Sequence, residues 1–121
     1  MITVEAALSR VQDASRTGEL APSSAREIAR WLTEPPFGQY RAAVLKDVED
    51  GRWKQLDDAF YAVLEFGTGG RRGVMYPVGT NVLNSRTIAE SARGLADYIN
   101  GKKAPGTTCS CVIARDTRHN S

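Results

Sequence analysis

The sequence predicts an α/β fold in which helices come first and β-prone residues come late. Apolar residues recur at helical spacing through about the first 64 positions. The segment FGTGGRRG, which begins at Phe66, then places four glycines within eight residues, a density typical of a loop. A β-prone run from Thr108 to Ala114 follows, and its apolar end indicates a strand covered on both faces. Because such a strand needs neighbours that this chain hardly supplies, we expect the α/β part to be incomplete.

The composition is that of one ordinary globular domain. The chain has 121 residues, of which 41% are hydrophobic and 25% are charged, so a core can form without disulfides or metal. No run approaches the roughly 18 consecutive apolar residues of a membrane span. The first ten residues have neither the charged start nor the apolar run of a signal peptide. We therefore expect a cytoplasmic protein that makes no membrane contact.

The two cysteines, Cys109 and Cys111, lie two positions apart in the β-prone run. In a strand they would point to the same side, and a bridge between them would strain the backbone. With a single histidine, His119, and no further thiols, the chain is short of ligands for a closed zinc site. We expect two buried thiols without a bridge, and no metal bound by this chain alone.

Positive charge is concentrated in the second half of the chain. Residues 1–60 hold 8 Lys and Arg against 10 Asp and Glu, whereas residues 61–121 hold 8 against 4. The basic residues come as separated pairs, such as Arg71 and Arg72, without the dense stripe and interleaved aromatics of a nucleic-acid groove. This distribution favours a small phosphorylated ligand and no nucleic-acid partner.

The first predicted helix has one clear apolar face. Val4, Leu8 and Val11 share that face, and Ala7 and Ala14 widen it. A glycine at position 18 stands where a left-handed helix end is expected.

A second helix is predicted to begin at a capping box formed by Ser24 and Glu27. Its apolar face consists of Ile28, Trp31 and Leu32. The sequence Glu34-Pro35-Pro36 ends it, because proline disfavours helical geometry in the preceding residue and has no amide to donate.

Two more helices are predicted before the glycine-rich segment. The third runs from about Gln39 to Asp50 and ends at Gly51, and the fourth runs from Trp53 to Leu64. Their inward residues are predicted to be Tyr40, Val44, Val48, Leu56, Phe60, Val63 and Leu64. Stripes of this kind are typical of a plain core.

Beyond the glycine-rich segment the chain is predicted to be extended and then helical. Residues 74–78 are β-prone but broken by a proline, and residues 79–85 are rich in turn formers. A helix follows, with Thr87 and Glu90 as its capping box and Asn100-Gly101 as its end. Its apolar face comprises Ile88, Ala92, Leu95 and Ile99. Residues 102–107 are predicted to form a linker.

Two segments could bind an anion. In Thr68–Gly73, glycines allow backbone amides to converge on an anion, and a guanidinium can grip phosphate oxygens with two hydrogen bonds. By spacing alone, a structural turn is an equally good interpretation. The second segment, Arg115–Ser121, follows the predicted strand, where open α/β sheets place ligands. Its competing interpretation is a solvated turn in which Asp116 pairs with Arg118. Neither segment supplies a nucleophile beside a base.

Three separated motifs carry a family resemblance. They are the loop FGTGGRRG, the pattern N-x-x-N-x-x-T at Asn81, Asn84 and Thr87, and the ending CVIARDTRHNS. In this order they resemble the start of the phosphohexomutases, the phosphoglucomutase/phosphomannomutase family, in the branch with a helical extension before the loop. The resemblance implies a helical amino-terminal extension over residues 1–56. Residues 57–121 would be the first part of the α/β/α domain I, truncated before the phosphoserine loop.

The resemblance also implies an activity. Phosphohexomutases move a phosphoryl group between the 1- and 6-positions of glucose or mannose phosphate through an enzyme phosphoserine, with Mg²⁺ held by a later aspartate cluster. The residue corresponding to the arginine beside the phosphoserine is Arg72, the expected catalytic residue. Thr68, Gly69, Gly70 and Arg71 would bind the phosphate, with Thr68 and the backbone of the two glycines shaping the loop, and Arg118 would support the same region.

The motifs that such an enzyme needs further on are not among these 121 residues. The phosphoserine motif T-x-S-H-N-P, the metal motif D-x-D-x-D and the sugar motif G-E-x-S-G are all lacking. We therefore expect the isolated chain to be inactive and to bind no Mg²⁺ by itself. The alternative is a free-standing, non-catalytic module that binds a phosphorylated ligand or a protein partner. In that module Val112 and Ile113 would be covered on both faces of the strand, whereas in a fragment they would be exposed or covered only by the helical extension.

Overall fold

The computed structural model describes residues 1–67, 70–115 and 117. In this part the protein is mostly helical, with one small two-stranded sheet, and thus shows the α/β prediction only in this coarse form. The helices are α1 Val4–Arg16, α2 Pro22–Thr33, a 3₁₀ helix Pro35–Tyr40, α3 Arg41–Glu49, α4 Trp53–Phe60 and α5 Ser85–Lys102. The strands are β1 Phe66–Gly67 and β2 Gly70–Arg71.

The chain divides into two compact units, Met1–Ala89 and Glu90–Ser121. The first unit holds α1 to α4 and the hairpin, and the second holds most of α5 and the residues after it. The predicted boundary between residues 56 and 57 stays a prediction. None of the helices in the described ranges combines the length and the apolarity that crossing a membrane requires.

The core of the first unit is built around Trp31 on α2. Its ring stacks on Phe37 at 4.8 Å between centroids and meets the edge of Phe60 at 5.2 Å. Tyr40 lies 5.1 Å away. Aliphatic residues from α1, α3 and α4 complete the core, among them Val11, Ile28, Leu32, Val44, Val48 and Leu56. These buried residues confirm most of the predicted helical stripes as core, whereas Val4 and Leu8 on α1 are only partly buried and Val63 is exposed.

Helix α1 forms as its spacing predicts. The hydroxyl of Thr3 accepts the amide of Ala6 and caps the start. Ala7, Val11 and Ala14 are buried. After the helix the chain turns at a glycine with φ +86°, which confirms the predicted left-handed end.

Helix α2 does not use the predicted capping box. It begins at Pro22, so Ser24 lies inside the first turn, where its hydroxyl donates to Asp57 Oδ1 at 2.6 Å. Glu27 instead pairs with Arg30 at 3.1 Å. The prediction was wrong because proline is well suited to the first helical position and a distant carboxylate occupies the place of a local cap. The end at Thr33, before the two prolines, is confirmed.

The next helices differ in extent from the prediction. The third is divided into the 3₁₀ helix Pro35–Tyr40 and α3, although Tyr40, Val44 and Val48 are buried as expected. Helix α4 ends at Phe60 and not at Leu64, and Val63 is 63% exposed. The carbonyl of Ala59 accepts the amides of Thr80 and Asn81, both at 2.9 Å. Two amides of a distant segment thus bind this carbonyl, which would have accepted an amide of the next helical turn if α4 had continued.

The glycine-rich segment forms an antiparallel ladder in which Phe66 pairs with Arg71 and Gly67 with Gly70. After it, Met75 forms an isolated parallel bridge with Leu83. The turn between them passes closely over α4 at Gly79. A Cβ added there would lie 2.5 Å from the carbonyl oxygen of Ala59, and φ at this position is +120°. Only glycine fits this approach.

Helix α5 starts three residues before the predicted apolar stripe. Asn84 Oδ1 accepts the amide of Thr87, and Thr87 Oγ1 accepts the amide of Asn84, both at 3.0 Å. The reciprocal pair is therefore Asn84 with Thr87, and the predicted box of Thr87 with Glu90 was wrong because Thr87 already lies inside the helix. The helix continues through Lys102, past the predicted end at Asn100-Gly101.

The prediction of a strand at Thr108–Ala114 was wrong. Residues 108–114 form no strand and are exposed, with Val112 at 94% and Ile113 at 90% exposure. Cys109 and Cys111 are likewise free and exposed, where buried thiols were predicted. A strand is stable only when neighbours satisfy its backbone groups, and no ladder partner for it occurs among the described residues.

Candidate functional site

The candidate site is the glycine–arginine loop, residues 66–73. Its described part comprises β1, β2 and the two residues after β2. Gly70 has a φ of +128°, a conformation that side chains rarely adopt. Thr68 and Gly69, predicted to shape the loop, lie outside the described residues, as does Arg118.

The guanidinium of Arg71 turns back onto the protein. Its Nε donates to the carbonyl of Leu64 and its Nη1 to the carbonyl of Thr87, both at 3.0 Å. The same group lies over the ring of Phe66, 5.1 Å from the centroid. Arg71 therefore joins the chain before the hairpin to the first turn of α5. Its predicted role in phosphate binding stays a prediction.

Arg72 has a different environment from its neighbour. It is exposed and makes no hydrogen bond or ion pair with the residues that the structure describes. The next residue, Gly73, lies against Leu64, and an added Cβ there would come within 3.0 Å of Leu64 Cδ1. The backbone after Arg72 is thus packed closely, while the guanidinium itself stays available in solvent. A guanidinium in this state can form a two-pronged contact with a phosphate.

The side chains of the N-x-x-N-x-x-T residues support the turn before α5 and the entry of α5. Asn81 Nδ2 donates to the carbonyl of Asp58 at 3.2 Å, and Asn84 Nδ2 donates to the carbonyl of Gly79 at 3.0 Å. Thr87 Oγ1 donates to the carbonyl of Val82 at 2.8 Å. The pattern correctly indicated a helix entry. Sequence reasoning did not foresee that these side chains hold the preceding turn, since turn-forming residues give no signal for which carbonyl they will bond.

A cleft of about 340 Å³ lies beside the run that follows the loop. Its lining is largely apolar with a few polar groups: Gln55, Asp58, Ala59, Tyr61, Val74, Tyr76, Asn81 and Val82. Behind it, the hydroxyl of Tyr76 donates to Asp47 Oδ2 at 2.5 Å. Burial and then this bond to a carboxylate raise the pKa of Tyr76 to about 12. The sequence had indicated neither residue, because an isolated tyrosine and an acidic helix residue carry no motif.

The magnesium ion implied by the family resemblance finds no fitting ligand set here. Within residues 1–67, 70–115 and 117, no group of three or more His, Cys, Asp or Glu side chains could hold a metal ion. Mg²⁺ prefers near-octahedral oxygen coordination. The described residues therefore offer no such cluster of ligands, and the function proposed below relies on side chains and backbone of this chain alone.

Comparison with known proteins supports a distant relationship to phosphomutases. The chain is similar to the phosphopentomutases of Homo sapiens and Pongo abelii, with 30% identity over 93 residues in each case. The matched region covers 77% of this chain but only 15% of each relative. No family model matches the sequence, and no solved structure matches it. The comparison therefore shows a weak similarity to part of two phosphopentomutases.

Proposed function

We propose that this chain supplies the glycine–arginine loop of a sugar-phosphate mutase and that Arg72 contacts a phosphoryl group there. The observation that supports this role is the contrast between two adjacent guanidiniums. Arg71 is bonded to two backbone carbonyls, whereas Arg72 is exposed and uncommitted among the described residues. An arginine whose backbone is closely packed, and whose guanidinium has no partner among the described residues, is suited to bind an anionic ligand.

The proposed chemistry is electrostatic. Phosphoryl transfer passes through a loose transition state whose charge is spread over three equatorial oxygens, so catalysis depends on positioning and on nearby cations. Arg72 would donate two hydrogen bonds to these oxygens and stabilise their negative charge. The backbone of Thr68, Gly69 and Gly70 would shape the anion site, and Arg118 would support it. In the whole enzyme the transferred group would be held on a serine outside this chain.

The sugar is proposed to be a hexose phosphate, with transfer between its 1- and 6-positions. This part of the proposal comes from the sequence resemblance, whereas the name of the similar human protein specifies a pentose. Both ligands share the chemistry that Arg72 would recognise, a phosphate monoester on a sugar. We assign no residue of this chain to recognition of the sugar ring.

Ligand titration of the 121-residue chain tests the role of Arg72. Backbone amide NMR signals would be followed while glucose 6-phosphate, ribose 5-phosphate or inorganic phosphate is added. Arg72→Met is expected to weaken binding of all three by at least about tenfold, because one charged hydrogen-bonding group is worth roughly 1.5 to 3 kcal/mol. Arg26→Met, which removes the same charge from an exposed position on α2, is the matched control and should bind as the unaltered chain does. Equal binding by Arg72→Met would contradict the proposal.

Enzyme assays address the rest of the assignment. The isolated chain should not interconvert glucose 1-phosphate and glucose 6-phosphate, since it has no T-x-S-H-N-P motif to hold the transferred group. Turnover by the purified chain would refute this expectation. Val112 and Ile113 are exposed. The alternative of a free-standing module requires both side chains to be covered, so their exposure gives that alternative no support.

A further inference from the structure

We infer that Arg71 is the positioning residue of the glycine–arginine loop and not one of its phosphate ligands. By bonding two carbonyls it holds the hairpin against the start of α5, and it thereby sets the direction in which Arg72 leaves the backbone. The inference rests on the proposed function only for the part that Arg72 plays in phosphate binding.

The first support is the geometry of the Arg71 guanidinium. Its Nε and Nη1 atoms both reach carbonyl oxygens at 3.0 Å, one in Leu64 and one in Thr87. These carbonyls belong to separate segments, the residues before β1 and the first turn of α5. A planar guanidinium presents several donors in a fixed arrangement, so it can bridge two acceptors at once. Lysine has a single nitrogen at the end of a flexible chain and fits this bridge poorly.

The second support is the contact with Phe66. The guanidinium carbon lies 5.1 Å from the centroid of this ring, a distance at which a cation is attracted to the aromatic face. Phe66 is also the residue paired with Arg71 across the ladder. The arginine thus contacts both the opposite strand and the helix entry, and its head is directed toward the protein.

The third support is the alternation of side chains along an extended chain. Successive residues in a strand point to opposite sides. Arg71 is the last residue of β2, and Arg72 follows it directly. With Arg71 held inward by its two carbonyl bonds, Arg72 is directed outward, in agreement with its exposure. Loss of the inward bonds would let the two guanidiniums exchange places or move freely.

The direct test observes the arginine Nε–H signals of the unaltered chain by NMR during titration with inorganic phosphate. The signals would be assigned with Arg71→Lys and Arg72→Lys. We expect the Arg72 signal to shift on addition of phosphate, while the Arg71 signal stays in place and exchanges slowly with water. A phosphate-dependent shift of the Arg71 signal would overturn the inference.

Substitution gives a second readout. Arg71→Lys and Arg71→Met are expected to weaken phosphate binding alike, by about threefold to tenfold, and to change the amide signals of Phe66, Gly67 and Thr87. Arg72→Met should weaken binding without changing those amides. If Arg71→Lys instead keeps full affinity, charge alone matters and the positioning role is wrong.

The two proposals fail in different ways. If the unaltered chain binds no phosphate, the proposed function is contradicted, while slow water exchange at Arg71 Nε–H and the amide changes in its variants still test the positioning role. If phosphate binds but Arg71 Nε–H exchanges as fast as the Arg72 signal, the positioning role fails and the phosphate site stands. Circular dichroism of each variant identifies any that do not fold, and the titration of the unaltered chain does not depend on them.

Discussion

Helices α2 and α5 have similar sequence patterns and very different surroundings. On α2 the apolar residues Ile28, Trp31 and Leu32 are at most 1% exposed. On α5 the corresponding stripe includes exposed residues, with Ile88 at 58% and Leu95 at 51% exposure, and Tyr98 on the same helix is 65% exposed. Apolar periodicity therefore predicted both helices correctly but did not determine whether each would be covered. Coverage depends on which other segments pack against the stripe.

The two helix starts differ in the same way. The start of α2 is fastened by Asp57 on α4, whose Oδ1 accepts the Ala21 amide at 2.9 Å and the Ser24 hydroxyl at 2.6 Å. The start of α5 is fastened by its own neighbours, Asn84 and Thr87. Helix α2 thus depends on residues distant in the chain, and α5 begins with local ones. The following changes test this difference.

The largest effect is expected for Trp31→Ala. This residue is 1% exposed and contacts three aromatic rings, so its truncation leaves a cavity and should cost about 3 to 5 kcal/mol of unfolding free energy. Urea denaturation followed by circular dichroism measures the loss. Tyr98→Ala on α5 is the matched truncation and should change stability by less than about 0.5 kcal/mol. Equal losses would remove the contrast between the two helices.

Tyr76→Phe should have the next largest effect, because it leaves the buried Asp47 carboxylate without its hydroxyl donor. At neutral pH the expected loss is about 1.5 to 3 kcal/mol. The pKa of Tyr76 is about 12 in the folded protein and about 10 in unfolded chains. The bond's contribution is therefore complete below pH 10 and is lost as the pH rises through 12. Urea denaturation of both proteins at several pH values between 8 and 12 should show their difference shrinking over this window.

Asp57→Ala tests the distant anchor of α2. It removes the acceptor of one amide and one hydroxyl, and we expect a loss of about 1 to 3 kcal/mol. Asp58→Ala is the neighbouring control, since that side chain is exposed and, among the described residues, forms only a surface pair with Lys54 at 3.3 Å. Thermal melts of both variants should show a lower midpoint for Asp57→Ala alone. A similar decrease for Asp58→Ala would mean that general charge, and not the anchor, is responsible.

The smallest effect is expected for Asn84→Ala, which removes the local cap of α5 and the hydrogen bond from Asn84 Nδ2 to the carbonyl of Gly79. Loss of such a cap costs typically about 1 kcal/mol. Amide hydrogen exchange should accelerate at Thr87 and Ile88, in the first turn of the helix, and change little in α2. Faster exchange throughout α2 would show that the two helix starts are not independent.

The candidate site was predictable in its residue types but not in their division of roles. The sequence indicated a glycine-rich loop with two adjacent arginines, because clustered glycines and guanidiniums are suited to anions. The family resemblance favoured Arg72 as the catalytic residue, but the chemistry of the two side chains alone did not distinguish Arg71 from Arg72. The distinction arises from two carbonyls, those of Leu64 and Thr87, that fold next to only one of them.

Local chemistry in the sequence determined where most helices form, the stop before Pro35 and the turn glycine at position 18, because these depend on residues a few positions apart. Tertiary structure alone decided that α4 ends at Phe60, that Asp57 anchors α2, and that residues 108–114 form no strand in the described part of the chain. Each of these outcomes depends on whether a backbone or side-chain group meets a partner from a distant segment. Such partners come together only when the chain folds, so no local pattern encodes them.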